Sequence, residues 1–438
     1  MNNPQLSRFL IGLILEKGMS KFVAIFHTLT CSFLLITVEL WNLLQQDPRR
    51  IVDEAILDKL YKQGFLIEAG TDQTAVLESW WQRLVHTIWI LKGKIRVTLD
   101  CNFACPHCLI ERAPVVMSSE AARMVDHSYL KIIKEKKPLR VLDDFSGGEV
   151  GTNIDVVYES ASRRALLCEA KNIEYELSIT TNMSLITRDV VRRLKEVGLK
   201  RIRATVFPKC VHDEQRPFRG GGPTYEIVMR RLQEISGMVP IHILTQYRAD
   251  MLDFLSVPEM MDDFTRRGIA VETFHFGEVL AKRCKGSHHG GTGDPRILLF
   301  LNQEAERRGY PVYSEPPSAI CGVDLLNHYF IDADTSYIPC AAMNLGERAY
   351  GNAIKGIDFV AESQLLKRKL PERCLEVCEL APLCMGGCRL QAETHGNGFD
   401  GIHCCHESLR LALNDYITHK AEKAYDPSEV EAKIVPSA

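Results

Sequence analysis

The sequence predicts an α/β fold: a partial (β/α)6 barrel, with a small mixed module before it and a cysteine-rich domain after it. Two observations predict the barrel and its neighbour. Strand-like apolar runs alternate with amphipathic helical runs six times between residues 91 and 310, and beyond 311 the long periodic segments stop while cysteines accumulate. A third concerns residues 1–90, where short strand and helix signals are mixed without a regular repeat.

Taken in order, "FVAIFHTLT" and "SFLLIT" are β-branched and aromatic runs that predict a hairpin. "VDEAILDKLYKQG" has apolar residues at helical spacing and stops at Gly64, "FLIEAG" reads as a short wing strand, and "AVLESWWQRLVH" as another helix. This mix is that of a winged-helix-like module over residues 1–90. Phe22 to Leu44 is the most apolar stretch of the chain. His27, Thr28, Thr30, Glu39 and Asn42 interrupt it, and it lacks a basic flank and a small-residue cleavage site. Neither a membrane span nor a signal peptide is expected, and the expected location is the cytoplasm.

The barrel strands are "KIRVTLD", "RVLDDFSG", "EYELSITTN", "RIRATVF", "PIHILTQY" and "AVETFHFG". Helices lie between them: Ser118 or Ser119 opens "SSEAARMVDHSYLKIIKEK", Thr187 caps "RDVVRRLKEVG", and Pro258 stands near the start of "PEMMDDFTRRG". Strands separated by helices pair in parallel, and six of them leave a barrel open on one side. Chemistry in such folds sits in the loops after the strand C-termini. The stretch "DCNFACPHC" (100–108), Gly147-Gly148-Glu149 and Thr180-Thr181-Asn182 all fall there. Residues 311–425 read as a small domain held by metal clusters, and 426–438 as a polar tail.

Composition excludes some classes. A chain of 438 residues accommodates two or three domains, and 46% hydrophobic with 25% charged residues is ordinary for a globular protein. The net charge of -3 comes with no long basic run, so no nucleic-acid partner is expected, nor a membrane one. Fifteen cysteines, an odd count without a secretion signal, favour metal ligation over a disulfide framework. Ten fall in two groups: Cys101, Cys105 and Cys108, then Cys321, Cys340, Cys374, Cys378, Cys384, Cys388 and Cys404. Cys31, Cys168, Cys210, Cys284 and Cys405 remain.

Three thiolates in one loop do not complete a structural zinc site, and on a cubane 4Fe-4S cluster they leave one iron open to chelate a substrate. Cys101-x3-Cys105-x2-Cys108, with His107 before the last cysteine, resembles the signature loop of radical S-adenosylmethionine (SAM) enzymes. The resemblance implies a SAM-binding 4Fe-4S cluster on these three catalytic cysteines, and reductive cleavage of SAM to a 5'-deoxyadenosyl radical. It further implies that His107, the Gly147-Gly148-Glu149 turn, Thr181, Asn182 and Thr205 contact the cofactor. "VFPKCVHDEQRPFRGGGPTYEIV" matches peptide-modifying relatives at His212-Asp213, Arg216 and Gly220 to Gly222. It departs from their Ser-Leu-Asp-Gly-like opening at Thr205-Val206-Phe207-Pro208-Lys209.

Cys374-x3-Cys378-x5-Cys384-x3-Cys388, followed by Cys404, resembles the SPASM extension of such enzymes, although the first gap is usually two residues. The resemblance implies one or two auxiliary 4Fe-4S clusters. Mapped by order, Cys374, Cys378, Cys384 and Cys404 hold the distal one, with Cys405 an alternative to Cys404. Cys321, Cys340 and Cys388 hold the nearer one, with either Cys284 as a fourth ligand or an open iron. Residues 1–90 are similar to leader-binding modules fused to peptide maturases, 91–310 to the radical SAM core and 311–425 to the SPASM domain.

The function implied is a maturase that installs an intramolecular carbon-carbon, ether or thioether crosslink in a ribosomally made precursor peptide. Its other partner is an electron donor such as flavodoxin or ferredoxin. A peptide epimerase is the alternative, with Cys210 or Cys284 as hydrogen donor. A sulfatase-maturing enzyme is disfavoured because Ala341 stands where that branch has an acid. From another class, a non-enzymatic cysteine-rich metal-binding adaptor fits the same cysteines.

Overall fold

The computed structural model describes residues 3–247, 252–278, 294–312 and 315–426. Cys284 and the tail from 427 lie outside the described residues. The chain divides into two compact units. One comprises the described parts of Met1–Leu84, Tyr313–Cys321 and Lys369–Ala438, the other those of Val85–Val312 and Gly322–Arg368.

The first unit begins with β1 (Pro4–Leu6), β2 (Leu10–Lys17), β3 (Ser20–His27) and β4 (Phe33–Thr37), then α1 (Val38–Gln46), α2 (Glu54–Lys62), β5 (Leu66–Glu68) and α3 (Gln73–His86). The hairpin expected from "FVAIFHTLT" and "SFLLIT" is the antiparallel pair β3–β4. The sequence reading missed β2, which pairs along all of β3, and α1, which Thr37 caps by accepting from Leu40 N. β5 pairs with β1 rather than with this sheet.

The second unit is the parallel sheet. It runs through β6 (Ile90–Arg96), α4 (Ser119–Lys136), β7 (Arg140–Ser146), α5 (Ile154–Ala170), β8 (Glu174–Thr181), α6 (Arg188–Lys195), β9 (Leu199–Thr205), α7 (Lys209–Gln215), α8 (Tyr225–Ile235), β10 (Ile241–Tyr247), α9 (Val257–Arg266) and β11 (Thr273–Glu278). After α10 (Pro295–Arg307) come β12 (His328–Ile331) and β13 (Tyr337–Ile338). Sheet order is β11-β10-β9-β8-β7-β6-β12-β13, parallel except for the last pair. The six predicted strands are there, and β12 and β13 extend the sheet into a region the sequence reading had left irregular.

Strand side chains alternate between two environments. Val141, Phe145, Leu177, Ile179, Ile202 and Ala204 pack in a core with the helices, including Val125, Tyr129 and Ile133 of α4. On the opposite face Asp144 pairs with Lys94 at 3.3 Å and Arg203 at 3.2 Å, so the lumen is polar. Under α5, the fully buried Arg164 ties Asp126 (3.0 Å) to Asp143 (2.9 Å), joining α4, α5 and β7.

The described chain ends in the first unit with α11 (Ala381–Cys384), α12 (Arg389–Thr394) and α13 (His406–Ala424). Val23 and Ile25 face a core with Leu40, Leu44, Leu60 and Phe65, while Phe22, Ala24 and Phe26 face one with Leu383, Leu409, Leu413 and Ile417. β3 is therefore buried on both faces, which is why its sequence is an unbroken apolar run. No helix among the described residues is long and apolar enough to cross a membrane.

Candidate active site

The cysteine triplet follows β6, and its loop is laced to two others by backbone bonds. Gly148 N donates to Thr98 O at 2.8 Å and Glu149 N to Asp100 O at 2.9 Å. On the other side Ala104 N donates to Pro217 O and Arg219 N to Asn102 O, both at 2.8 Å, Phe103 packs edge-on against Phe218, and Arg219 pairs with Asp100. Gly147 has φ +154° and a Cβ there would meet Thr98 O at 2.2 Å; at Gly148 it would meet Asp100 O at 2.1 Å. Gly148→Ala is therefore expected to displace the triplet loop, at a cost of about 1–3 kcal/mol, and to lower the iron bound there, read by iron analysis after reconstitution.

Cys101, Cys105 and Cys108 line one cavity of about 510 Å³ with His107, Gly147, Gly148, Thr181, Asn182 and Thr205. Nine of the ten residues expected at the cofactor thus come together. The tenth, Glu149, is buried beside the cavity without lining it, and its carboxylate accepts from Thr181 Oγ1 and Asn182 N (2.6 Å each) and Gly151 N (2.9 Å). Burial raises its pKa while these bonds oppose the shift. Glu149 shapes the strand end that carries Thr181 and Asn182. Asn182 in turn donates to Asn102 Oδ1 at 2.8 Å, within the triplet loop.

Burial pushes the Cys101 thiol up to about 11, and that of Cys105 up as well, the latter opposed by Arg216. Arg216 is buried and stacks over Phe103 and Phe207. Thiols held protonated by burial, on a cavity wall and without a disulfide, suit a metal that displaces their protons. This donor set fits an iron-sulfur cluster with one iron left open.

Residues 95–275 match the family model described as the radical SAM superfamily. The barrel is a radical SAM domain. No protein of curated function matches the chain. Among solved structures, anSMEcpe with bound AdoMet and Cp18Cys peptide is similar to it at TM-score 0.56 and 17% identity, over 76% of this chain and 97% of that one. Streptococcus suis SuiB bound to precursor peptide SuiA is similar at TM-score 0.53 and 14% identity, over 92% and 99%. These likenesses show the fold around the radical SAM domain.

Among the cavity residues that sequence reasoning missed are Lys94, Arg96, Gln246 and His275. Only the strand alternation signals them, since nothing in their local spacing marks chemistry. Arg96 is fully buried, bound to Asp332, and donates to Met343 O at 2.8 Å and Ala341 O at 3.3 Å. It thereby fixes the turn that follows Cys340.

In the first unit burial raises the pKa of Cys374 and of Cys378, and nearby thiols raise them further: Cys384 and Cys404 act on Cys374, and Cys374 and Cys384 on Cys378. Cys405 joins them, with its Sγ 3.4 Å from that of Cys384. Cys405 is half-buried and packs against the apolar core, whereas Cys404 is exposed. Glu379 and His406 stand beside Cys378, and Glu379 is paired with Arg410 at 2.7 Å and His406 at 3.2 Å. Cys321 and Cys388 belong to this unit and Cys340 to the other. Of the spare cysteines, Cys168 is buried and Cys31 and Cys210 are exposed, and Cys210 does not line the cavity.

Proposed function

We propose that this chain is a radical SAM enzyme that crosslinks two residues of a ribosomally made precursor peptide. The observation that carries this reading is the opening of three thiols of one loop onto the same cavity as the Gly147-Gly148 turn and Thr181-Asn182. When bound, a 4Fe-4S cluster and SAM supply a 5'-deoxyadenosyl radical able to take hydrogen from an unactivated carbon. Cys101, Cys105 and Cys108 hold the cluster, and the two glycines let backbone approach the methionine amino group. Thr181, Asn182 and Thr205 offer hydrogen bonds to the ribose or carboxylate, and His107 packs against Phe207 to hold the loop.

A peptide substrate is supported by anSMEcpe and SuiB, both described with bound peptides. The free edges of the β2-β3-β4 sheet among the described residues support leader capture by strand addition in the 1–90 module. One or two auxiliary clusters fall to the C-terminal cysteines, the distal one to Cys374, Cys378, Cys384 and Cys404 or Cys405. A flavodoxin or ferredoxin supplies electrons. Ala341 and Ala342 on the cavity wall argue against the acid-dependent sulfatase branch, and Cys210, one of the two thiols considered as an epimerase's hydrogen donor, is exposed and does not line the cavity.

The test is anaerobic reconstitution with iron and sulfide, reduction in the presence of SAM and the leader-bearing peptide encoded beside the gene, and mass spectrometry. Formation of 5'-deoxyadenosine with a peptide lighter by two hydrogens is expected. A peptide of unchanged mass beside abundant nucleoside would reject crosslinking, and a reduced, iron-loaded protein that forms no nucleoside would reject radical chemistry.

A further inference from the structure

Bond formation by a substrate radical releases a proton, and the cavity offers few groups to take it. Its described lining carries Lys94, Arg96 and Arg216 but no carboxylate, and the turn after Cys340 presents Ala341 and Ala342. Of its two imidazoles, His107 stands between Cys105 and Cys108 and belongs to the cluster loop. His275, on β11, is the other.

His275 Nε2 lies 3.1 Å from Thr273 Oγ1, which lies 2.7 Å from His242 Nδ1 on β10. The two rings stack at 6.0 Å with 21° between their planes. A hydroxyl has one proton, so Thr273 accepts from one imidazole and donates to the other. With His275 Nε2–H donating to Thr273 and Thr273 donating to His242, His275 Nδ1 keeps its lone pair and has no partner among the described residues. We propose that His275 is the proton acceptor for bond formation in this cavity, with Thr273 and His242 fixing its tautomer and relaying the proton along the lumen.

The inference rests on the peptide-modifying reading above. A substrate C–H bond breaks as its hydrogen atom passes to the 5'-deoxyadenosyl radical, giving 5'-deoxyadenosine. The carbon radical then joins an X–H partner, the C–X bond forms, the X–H proton passes to His275 Nδ1, and one electron passes to a one-electron oxidant of the iron-sulfur class. Protonation at Nδ1 releases Nε2–H to Thr273, whose own proton moves to His242.

Among the described residues the charged groups that act on this pair are cationic: Arg203 acts on both rings, and Arg201 on His242. Burial first, then these charges and the neighbouring imidazole, hold His242 down at about 4; burial and Arg203 lower His275 as well. Both rings are neutral at pH 7, the state a proton acceptor requires.

The experiment compares wild type, His275→Gln and Thr273→Val as reconstituted holoenzymes, with the gene-adjacent peptide carrying perdeuterated side chains. Glutamine keeps a hydrogen bond to Thr273 but takes no proton. Deuterium should still reach 5'-deoxyadenosine in His275→Gln, with circular dichroism and iron content unchanged, while crosslink formed per nucleoside falls about a hundredfold. In wild type that ratio should decline as pH drops through the lowered His275 pKa. The acid limb should vanish in His275→Gln and shift in Thr273→Val. A His275→Gln enzyme that keeps both the wild-type ratio and the acid limb overturns the assignment. A wild type that transfers no deuterium overturns the peptide reading instead, and the inference with it.

Discussion

Replacing Cys101, Cys105 and Cys108 together with alanine is expected to reduce 5'-deoxyadenosine formation to background while the rest of the molecule survives. The loop does not depend on its thiols for shape. Its backbone is bonded to Pro217, Arg219 and the Gly148-Glu149 turn, and Phe103 is buried against Phe218. The cysteine side chains add contacts to Cys101 Sγ from Phe103 N at 3.3 Å and Asn182 Nδ2 at 3.9 Å, and the packing of Cys101 and Cys105 against the core, fewer ties than the backbone supplies. The variant should therefore keep its circular dichroism and lose about four irons per chain, the content of one cubane, while iron on the Cys374 to Cys405 group remains. Undiminished nucleoside formation from this variant would remove the central assignment.

The second large effect falls on a cavity residue to which the sequence reading gave no role. Arg96→Met is expected to destabilise the barrel by about 3–5 kcal/mol, the usual result of removing one partner of a buried ion pair. Asp332 is fully buried and would be left without its counter-ion, in a site where burial already raises its pKa and Arg96 opposes that shift. Two further acceptors, the carbonyls of Ala341 and Met343, would lose their donor. A denaturation midpoint for the second unit, followed under anaerobic conditions, measures the loss. The double variant Arg96→Met, Asp332→Leu should regain part of it by removing the stranded carboxylate. An Arg96→Met protein as stable as wild type would mean that water satisfies Asp332.

The barrel was legible because its information is local. Each β-branched run, each cap such as Ser118 or Thr187, and each glycine turn sits within a few residues of what it specifies. Register was less legible: "KIRVTLD" points to a strand over 94–100, but β6 spans Ile90–Arg96. Its first residues pair with Arg140 and neighbours, and the chain after Arg96 turns off to bond Val115 and Val116. The nine expected residues that line the cavity could be named because they lie at strand ends in recognisable short motifs. His275 and Arg96 carry no such motif. They reach the cavity only through the alternation of β11 and β6, and their partners Asp332 and His242 are remote in sequence.

The division of the chain also decides how it can be recombined with a related enzyme. A chimera joined at residue 311, where the cysteine-rich sequence begins, would replace β12 and β13 and so strip the outer strands from β6, together with the Asp332 that neutralises Arg96. The same join would put foreign side chains in place of Leu383, Leu409 and Leu413 against the native Phe22 and Phe26. Residues 1–84 and the segment from 369 onward have to travel together, and 322–368 has to stay with the barrel. The N-terminal module and the C-terminal cysteine group are thus inherited as one cassette, although most of the barrel sequence separates them.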